Sequence, residues 1–151
     1  MNVLLVRASA DDAGIAYTLT RELMAHHNAL DIFTLTEARF GELIETEAVR
    51  SYIALADGRP VGIMNFFWKY TTFTGRKILY IEDFYVRENS RGLGLGRLLM
   101  EKAKELAAEN DCEQIELKCA SWNENASHFY AKLGLKPEKD WNVYTLSRTE
   151  F

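Results

Sequence analysis

Apolar residues recur along this chain with two different periods. Near the start, Val3-Leu4-Leu5-Val6 is a short continuous apolar run, which predicts a buried strand. Ser9-Ala10-Asp11-Asp12 then has the form of a capping box, with Ser9 as N-cap and Asp12 reaching back. Ile15, Leu19 and Leu23 follow four apart and predict one apolar helix face. Thr34-Leu35-Thr36-Glu37 opens a second helix, whose apolar side carries Phe40, Leu43 and Ile44. Between the two helices, His26 to Asp31 keeps only weak periodicity and reads as a loop or a frayed helix end.

The period then changes. Tyr52 to Ala56 reads as a strand, Asp57-Gly58 as a hairpin turn, and Val61 to Tyr70 as the returning strand. Thr71 to Gly75 makes another turn, and Ile78 to Val86 a long third strand, so three antiparallel strands occupy the centre. After the interruption at Gly92 to Gly96, the residues Leu95, Leu98, Leu99, Ala103 and Leu106 mark an amphipathic helix. Ile115, Leu117 and Cys119 alternate with Glu116 and Lys118, the pattern of a half-buried strand. Ala126, Phe129, Tyr130 and Leu133 give another helix closed by Gly134 at its C′ position. Val143 to Leu146 reads as a final strand. This order of elements implies one mixed α/β sheet with helices on its faces.

Composition narrows the function classes. At 151 residues, 48% hydrophobic and 26% charged, the chain matches one ordinary globular domain, residues 1–151. A net charge of −4 and the lack of any Lys/Arg-rich run speak against nucleic acid as a partner. No apolar run nears the roughly 18 residues that span a bilayer, and the N-terminus lacks the basic and apolar regions of a signal peptide. Cys112 and Cys119 stand without Cys or His at metal-ligand spacing and suggest no disulfide framework. A reducing, cytoplasmic setting without a metal is the expectation.

Arg91-Gly92-Leu93-Gly94-Leu95-Gly96-Arg97 lies between a strand and a helix. Its glycines let a ligand approach the backbone, and the helix start offers free N–H groups to a pyrophosphate. A Walker loop is excluded because no Gly-Lys-Ser/Thr follows. The dinucleotide fingerprint is excluded because position 97 is Arg where its last glycine belongs. Glu82-Asp83 is the second feature. Acids are depleted in strands, and neighbours on a strand face opposite ways, so one carboxylate meets the buried or clefted side. It is either paired with an Arg or used in chemistry. The third is Ser121-Trp122-Asn123-Glu124-Asn125-Ala126, where Asn123 reads as a helix cap or as a partner for an amide-rich ligand. Tyr130, beside Phe129, is either core or functional. His26 and His27 read as surface or substrate-loop residues.

Together these stretches resemble the GNAT superfamily of acetyl-CoA-dependent N-acetyltransferases. Arg91-x-x-Gly94-x-Gly96 is similar to its pyrophosphate loop. The run Leu79-Tyr80-Ile81-Glu82-Asp83-Phe84-Tyr85-Val86, followed by Trp122-Asn123-Glu124, Phe129-Tyr130 and Trp141, resembles the diamine (spermidine/spermine) and thialysine acetyltransferase branch. The resemblance implies a mixed central sheet of about seven strands flanked by about four helices. It implies acetyl-CoA as acetyl donor, a small-molecule amine as acceptor, direct attack in a ternary complex, and a homodimer. By the same resemblance, Phe84, Tyr85 and Val86 pair with the pantetheine amides. Arg91, Gly92, Leu93, Gly94, Leu95, Gly96 and Arg97 cradle the pyrophosphate, and Asn123, Glu124, Asn125 and Ala126 line the pantetheine arm. Tyr130 stands near the sulfur as acid, and Glu82 near the acceptor amine. His26, His27, Asp31, Glu82 and Asp83 are the expected acceptor-side residues. One departure stands out, because His26 to Ile32 holds a single acid where polyamine-acetylating relatives are acid-rich. An acetyltransferase for protein or antibiotic amines and a non-catalytic acetyl-CoA sensor are the alternatives.

Overall fold

Strand alternation and two helix faces assemble five strands into one sheet in the order β1-β2-β3-β4-β5. The computed structural model describes residues 1–151, whose contacts divide the chain into two units, Met1–Lys118 and Cys119–Phe151. In the first unit the elements are β1 (Val3–Arg7), α1 (Ala13–His26), α2 (Glu37–Glu45), β2 (Arg50–Ala56), β3 (Arg59–Tyr70), β4 (Lys77–Val86), α3 (Leu95–Glu109) and β5 (Gln114–Leu117). Strands β1 to β4 are antiparallel neighbours, and β5 joins β4 in parallel. The β2–β3 turn has positive φ at both Asp57 (50°) and Gly58 (78°), as a primed two-residue hairpin requires.

Two apolar layers close on the sheet. Ala16 and Leu19 of α1 and Phe40 and Ile44 of α2 cluster with Ile53 and Ile63. Leu95, Leu99, Met100 and Ala103 of α3 are buried at 1% exposure or less, and α3 packs on β2, β3, β4 and β5. Each fully buried aliphatic side chain contributes roughly 1.5–3 kcal/mol. The Ser9 N–H donates to the Asp12 carboxylate at 2.8 Å, so the expected capping box forms, but over a 3-10 turn at Ala10–Asp12 that leads into α1; at α2 the Arg39 N–H donates to Thr36 Oγ1 at 3.1 Å. No helix is long and apolar enough to cross a membrane.

Several expected positions differ. Ile15 is 41% exposed, because spacing by four drifts around a helix of 3.6 residues per turn. The buried face runs instead through Ala16, Leu19, Thr20 and Leu23. Leu98, about 100° around the helix from Leu99, lies outside the α3 stripe of Leu95, Leu99, Met100 and Ala103, at 42% exposure. Trp68 is half-buried, with the Arg50 guanidinium and the Lys77 ammonium over its ring. β5 stops at Leu117, so Cys119 lies beyond it and is exposed.

The second unit holds α4 (Glu124–Lys132). Asn123 caps it by accepting from the Ala126 N–H at 3.1 Å, and Gly134 ends it at φ 91°. Val143 to Leu146 forms no strand. A strand needs a neighbour for its N–H and C=O groups, and no other extended segment of this unit supplies one. Val143, Tyr144 and Leu146 are exposed. The sheet therefore has five strands rather than about seven, while the four α-helices match the expectation.

Candidate functional site

An irregularity in the β3–β4 ladder builds the first part of the site. Asn65 pairs with Asp83 and Phe66 with Ile81, which leaves Glu82 without a partner across the ladder. Such a bulge re-aims side chains and breaks strict alternation. Alternation would send Glu82 and Asp83 to opposite faces, yet both line one cavity of about 260 Å³. Its other walls are Thr20 and Met24 of α1, Phe33 and Leu35 of the connection, Phe40 and Leu43 of α2, and Val49. Seven of these nine residues are apolar or a threonine, so two acids line an otherwise uncharged chamber.

The two acids differ in setting. Glu82 is exposed, whereas Asp83 is half-buried and accepts the Asn65 amide N–H through Oδ2 at 3.0 Å. Burial pushes the Asp83 carboxyl up to about 6, the Asn65 hydrogen bond pulls it down, and the Glu82 charge pushes it up again. Neither acid pairs with an arginine. The arginine nearest in sequence, Arg87, is committed to Glu22, with Nε and Nη2 donating at 2.9 and 2.7 Å and Nη1 donating to the Pro60 carbonyl at 2.9 Å. The Arg87 hydrogen bond holds the Glu22 carboxyl below its ordinary range, and burial raises the Tyr85 phenol that also donates to it. This clamp ties α1 to the end of β4 beside the cavity.

His26, His27 and Asp31 are not among the cavity's walls. His26 ends α1, His27 caps it, and Asp31 sits in a 3-10 turn over Leu30–Ile32. Burial holds the His27 imidazole below its usual range, and the His26 charge adds to this. No group of three or more His, Cys, Asp or Glu side chains is gathered as a metal ion requires.

Along β4, pairing with β5 runs only from Ile78 to Ile81. From Glu82 through Phe84, Tyr85 and Val86, the second edge of β4 has no strand of the sheet beside it. The loop that follows turns through Gly92 at φ 82° and Gly94 at φ 80°, values that L side chains rarely adopt. A Cβ at either position would meet nothing within 4 Å, so the outer face of the loop is open. Arg91, Leu93 and Arg97 are exposed, Arg91 Nε donates to the Val86 carbonyl at 3.0 Å, and buried Leu95 anchors the start of α3. Gly96 lies in the first helical turn. Open backbone, two arginines and the N-terminus of a 15-residue helix suit a pyrophosphate.

In the second unit, Glu124, Asn125 and Ala126 form the first turn of α4 behind the Asn123 cap. Tyr130 is half-buried beside the Phe129 ring, 5.6 Å away. Burial pushes its phenol up to about 12, with the Cys119 thiol contributing in the same direction. Sequence pattern alone missed Ser51, Asn65, Thr20 and the apolar cavity walls. The one available signal was Asn65, an amide in the middle of the apolar run from Val61 to Phe67.

The thialysine N-epsilon-acetyltransferase of Bos taurus is 30% identical, over 94% of this chain and 91% of that protein. The Sus scrofa thialysine N-epsilon-acetyltransferase is 32% identical over 89% of this chain and 85% of its own length. In structure, an aminoglycoside acetyltransferase from an uncultured soil metagenomic sample superposes with a TM-score of 0.82 at 18% identity, covering 96% of this chain and 97% of that one. That likeness concerns the fold. The model of the acetyltransferase (GNAT) family matches residues 6–135. The chain belongs to the GNAT family and is an N-acetyltransferase.

Proposed function

We propose that this chain, as one domain over residues 1–151, transfers an acetyl group from acetyl-CoA to a primary amine of a small molecule. One observation carries the acceptor side: Glu82 and Asp83 both line a largely apolar cavity of about 260 Å³. That chamber suits an ammonium group on a short aliphatic chain. The two named relatives act, by their names, on thialysine. An Arabidopsis thaliana relative, 33% identical over 62% of this chain and 41% of its own length, is an L-ornithine N5-acetyltransferase.

An alkylamine titrates near 10 and is mostly ammonium at pH 7. Asp83 and Glu82 attract the cation, and Glu82, directly or through water, takes its proton so that the free lone pair can attack. The open loop from Arg91 to Arg97 holds the donor's pyrophosphate, and the backbone of Phe84, Tyr85 and Val86 pairs with its amides. Asn123, Glu124, Asn125 and Ala126 line the arm. Acetyl-CoA supplies a thioester with a thiolate leaving group, and a backbone N–H on β4 steadies the charge that develops on the acyl oxygen. Tyr130 gives its proton to the departing sulfur. The N–C bond forms as the C–S bond breaks, and no covalent enzyme intermediate is needed. His26, His27 and Asp31 belong in this reading to the acceptor approach. A homodimer is part of it too, supported by the exposed apolar side chains of Trp141, Val143, Tyr144 and Phe151.

Thiol release from acetyl-CoA, measured over a panel of amines, tests the reading. A short diamine or lysine-like amine turns over, and spermine gains no advantage, because one acid at Asp31 cannot clamp several ammonium groups. Bound acetyl-CoA with no turnover on any amine would overturn the transferase reading. A spermine preference above about tenfold, roughly 1.4 kcal/mol of transition-state binding, would overturn the acceptor assignment.

A further inference from the structure

Beneath the cavity, a buried chain of side-chain hydrogen bonds runs across three strands and a helix. Ser51 Oγ on β2 donates to Asn65 Oδ1 on β3 at 2.6 Å. Asn65 Nδ2 donates both to Thr20 Oγ1 on α1, at 2.9 Å, and to Asp83 Oδ2 on β4, at 3.0 Å. Thr20 Oγ1 in turn donates to the Ala16 carbonyl at 2.8 Å. Ser51, Asn65 and Thr20 are exposed by 0%, 1% and 2%.

The sense of this chain is forced. The Thr20 hydroxyl has given its proton to Ala16, so it can only accept from Asn65. Turning the Asn65 amide over would set its oxygen against the Asp83 carboxylate and its N–H₂ toward a serine oxygen. The amide is therefore locked with both N–H groups used and one aimed at Asp83. A fully buried amide in the middle of a strand is costly unless every group is satisfied, and here each is. The arrangement ends on one oxygen of one carboxylate, and that carboxylate borders the cavity.

We propose that Asn65, locked by Ser51 and Thr20, is a positioning residue that holds Asp83 ionised and aimed so that the cavity receives a cationic amine. The inference rests on the acceptor reading given above. The Asn65 N–H favours the charged carboxylate, which opposes the effect of burial, and Glu82 adds a like charge from the same strand. From the other elements packed around Asp83, the cavity presents Thr20 and Met24 on α1, Phe40 and Leu43 on α2, and Phe33, Leu35 and Val49. None of these titrates. Asn65 and Glu82 are thus the two groups that set the state of Asp83, and only Asn65 favours the charge.

Two measurements on the whole chain test this. The first is the acid limb of kcat/KM against pH for a short diamine, and the second is a ¹³C-carboxyl NMR titration of Asp83, which needs no turnover. Asn65→Leu removes the donor at similar volume and moves both upward by about one pH unit. In Asn65→Leu the amine KM at pH 6.5 rises more than kcat falls. Asn65→Asp places a second carboxylate against the first and moves the limb further. Ser51→Ala, the mildest change, loosens the amide and moves the limb upward by less. A merely structural Asn65 would lower thermal stability and leave both titrations in place, and unshifted titrations in folded variants would overturn the proposal. If Asn65→Leu does not fold, the Ser51→Ala titration decides by the same criterion. Should the wild type acetylate no amine, the function reading fails, while the NMR titration still decides the role of Asn65.

Discussion

Replacing Tyr130 by Phe removes one oxygen from a half-buried ring and leaves α4 otherwise intact. The helix end does not depend on the phenol, because the Tyr130 backbone carbonyl accepts from the Leu133 and Leu135 N–H groups, each at 3.0 Å. The expected loss of stability is that of one hydroxyl, about 1 kcal/mol. The expected loss of rate is larger. With the phenol at about 12, fewer than about one molecule in 10³ is ionised at pH 9, so the proton is always present to give. The same elevation makes Tyr130 a reluctant acid toward a thiolate that titrates near 8.5, which places its contribution at the lower end of the usual range for acid catalysis. That end is about 10²-fold in kcat, or roughly 2.7 kcal/mol. Steady-state thiol release at saturating amine reads it, with the acetyl-CoA KM little changed. The wild-type rate should also show no basic limb from Tyr130 between pH 8 and 10. A Tyr130→Phe kcat within threefold of wild type would reduce Tyr130 to a packing residue.

Other outcomes follow from the same geometry. Gly94→Glu places a side chain at φ 80° and a negative charge on the open face of the loop, so calorimetry should show acetyl-CoA binding lost while circular dichroism shows the fold retained; unchanged affinity would move the donor elsewhere. Asp83 has a folded value raised from 3.8 to about 6, so its contribution to stability is fully present below pH 3.8 and is lost as pH rises through 6. Asp83→Asn should therefore stabilise the fold at pH 8 relative to pH 4, by up to about 2 kcal/mol once the carboxyl's solvent contact is allowed for, read as a higher Tm, and an equal effect at both pH values would contradict the burial argument. Light scattering at micromolar concentration should report twice the 17.3 kDa chain mass, and a value near 17 kDa would refute the homodimer.

How far the sequence carried depended on the length and regularity of each pattern. The helix start within Thr34–Glu37, the cap at Asn123, the Asp57-Gly58 hairpin and the Gly134 stop were legible because each rests on local chemistry, which the fold then leaves in place. The glycine loop was legible for the same reason, since Gly92 and Gly94 occupy backbone positions that demand them. The joint placement of Glu82 and Asp83 was not. Two-residue alternation predicts opposite faces, and only the register shift opposite Asn65 brings both to one cavity. Asn65 itself was visible as an amide in an apolar run, but its partners Ser51, Thr20 and Asp83 lie 14, 45 and 18 residues away. No local window joins them. The strand expected at Val143 to Leu146 failed on a related point, because alternation describes one strand and pairing requires two.

The central claim is that a primary amine is deprotonated at the carboxyl end of the β4 bulge before it attacks the acetyl group. Glu82→Gln tests it most directly, through kcat/KM for a short diamine followed from pH 6 to pH 10. The account predicts a fall of about 10²-fold or more at pH 7, the same for every acceptor in the panel. That deficit should close toward pH 10, where solution supplies the free amine near its own pKa. A Glu82→Gln profile that runs parallel to wild type over the whole range would contradict the account.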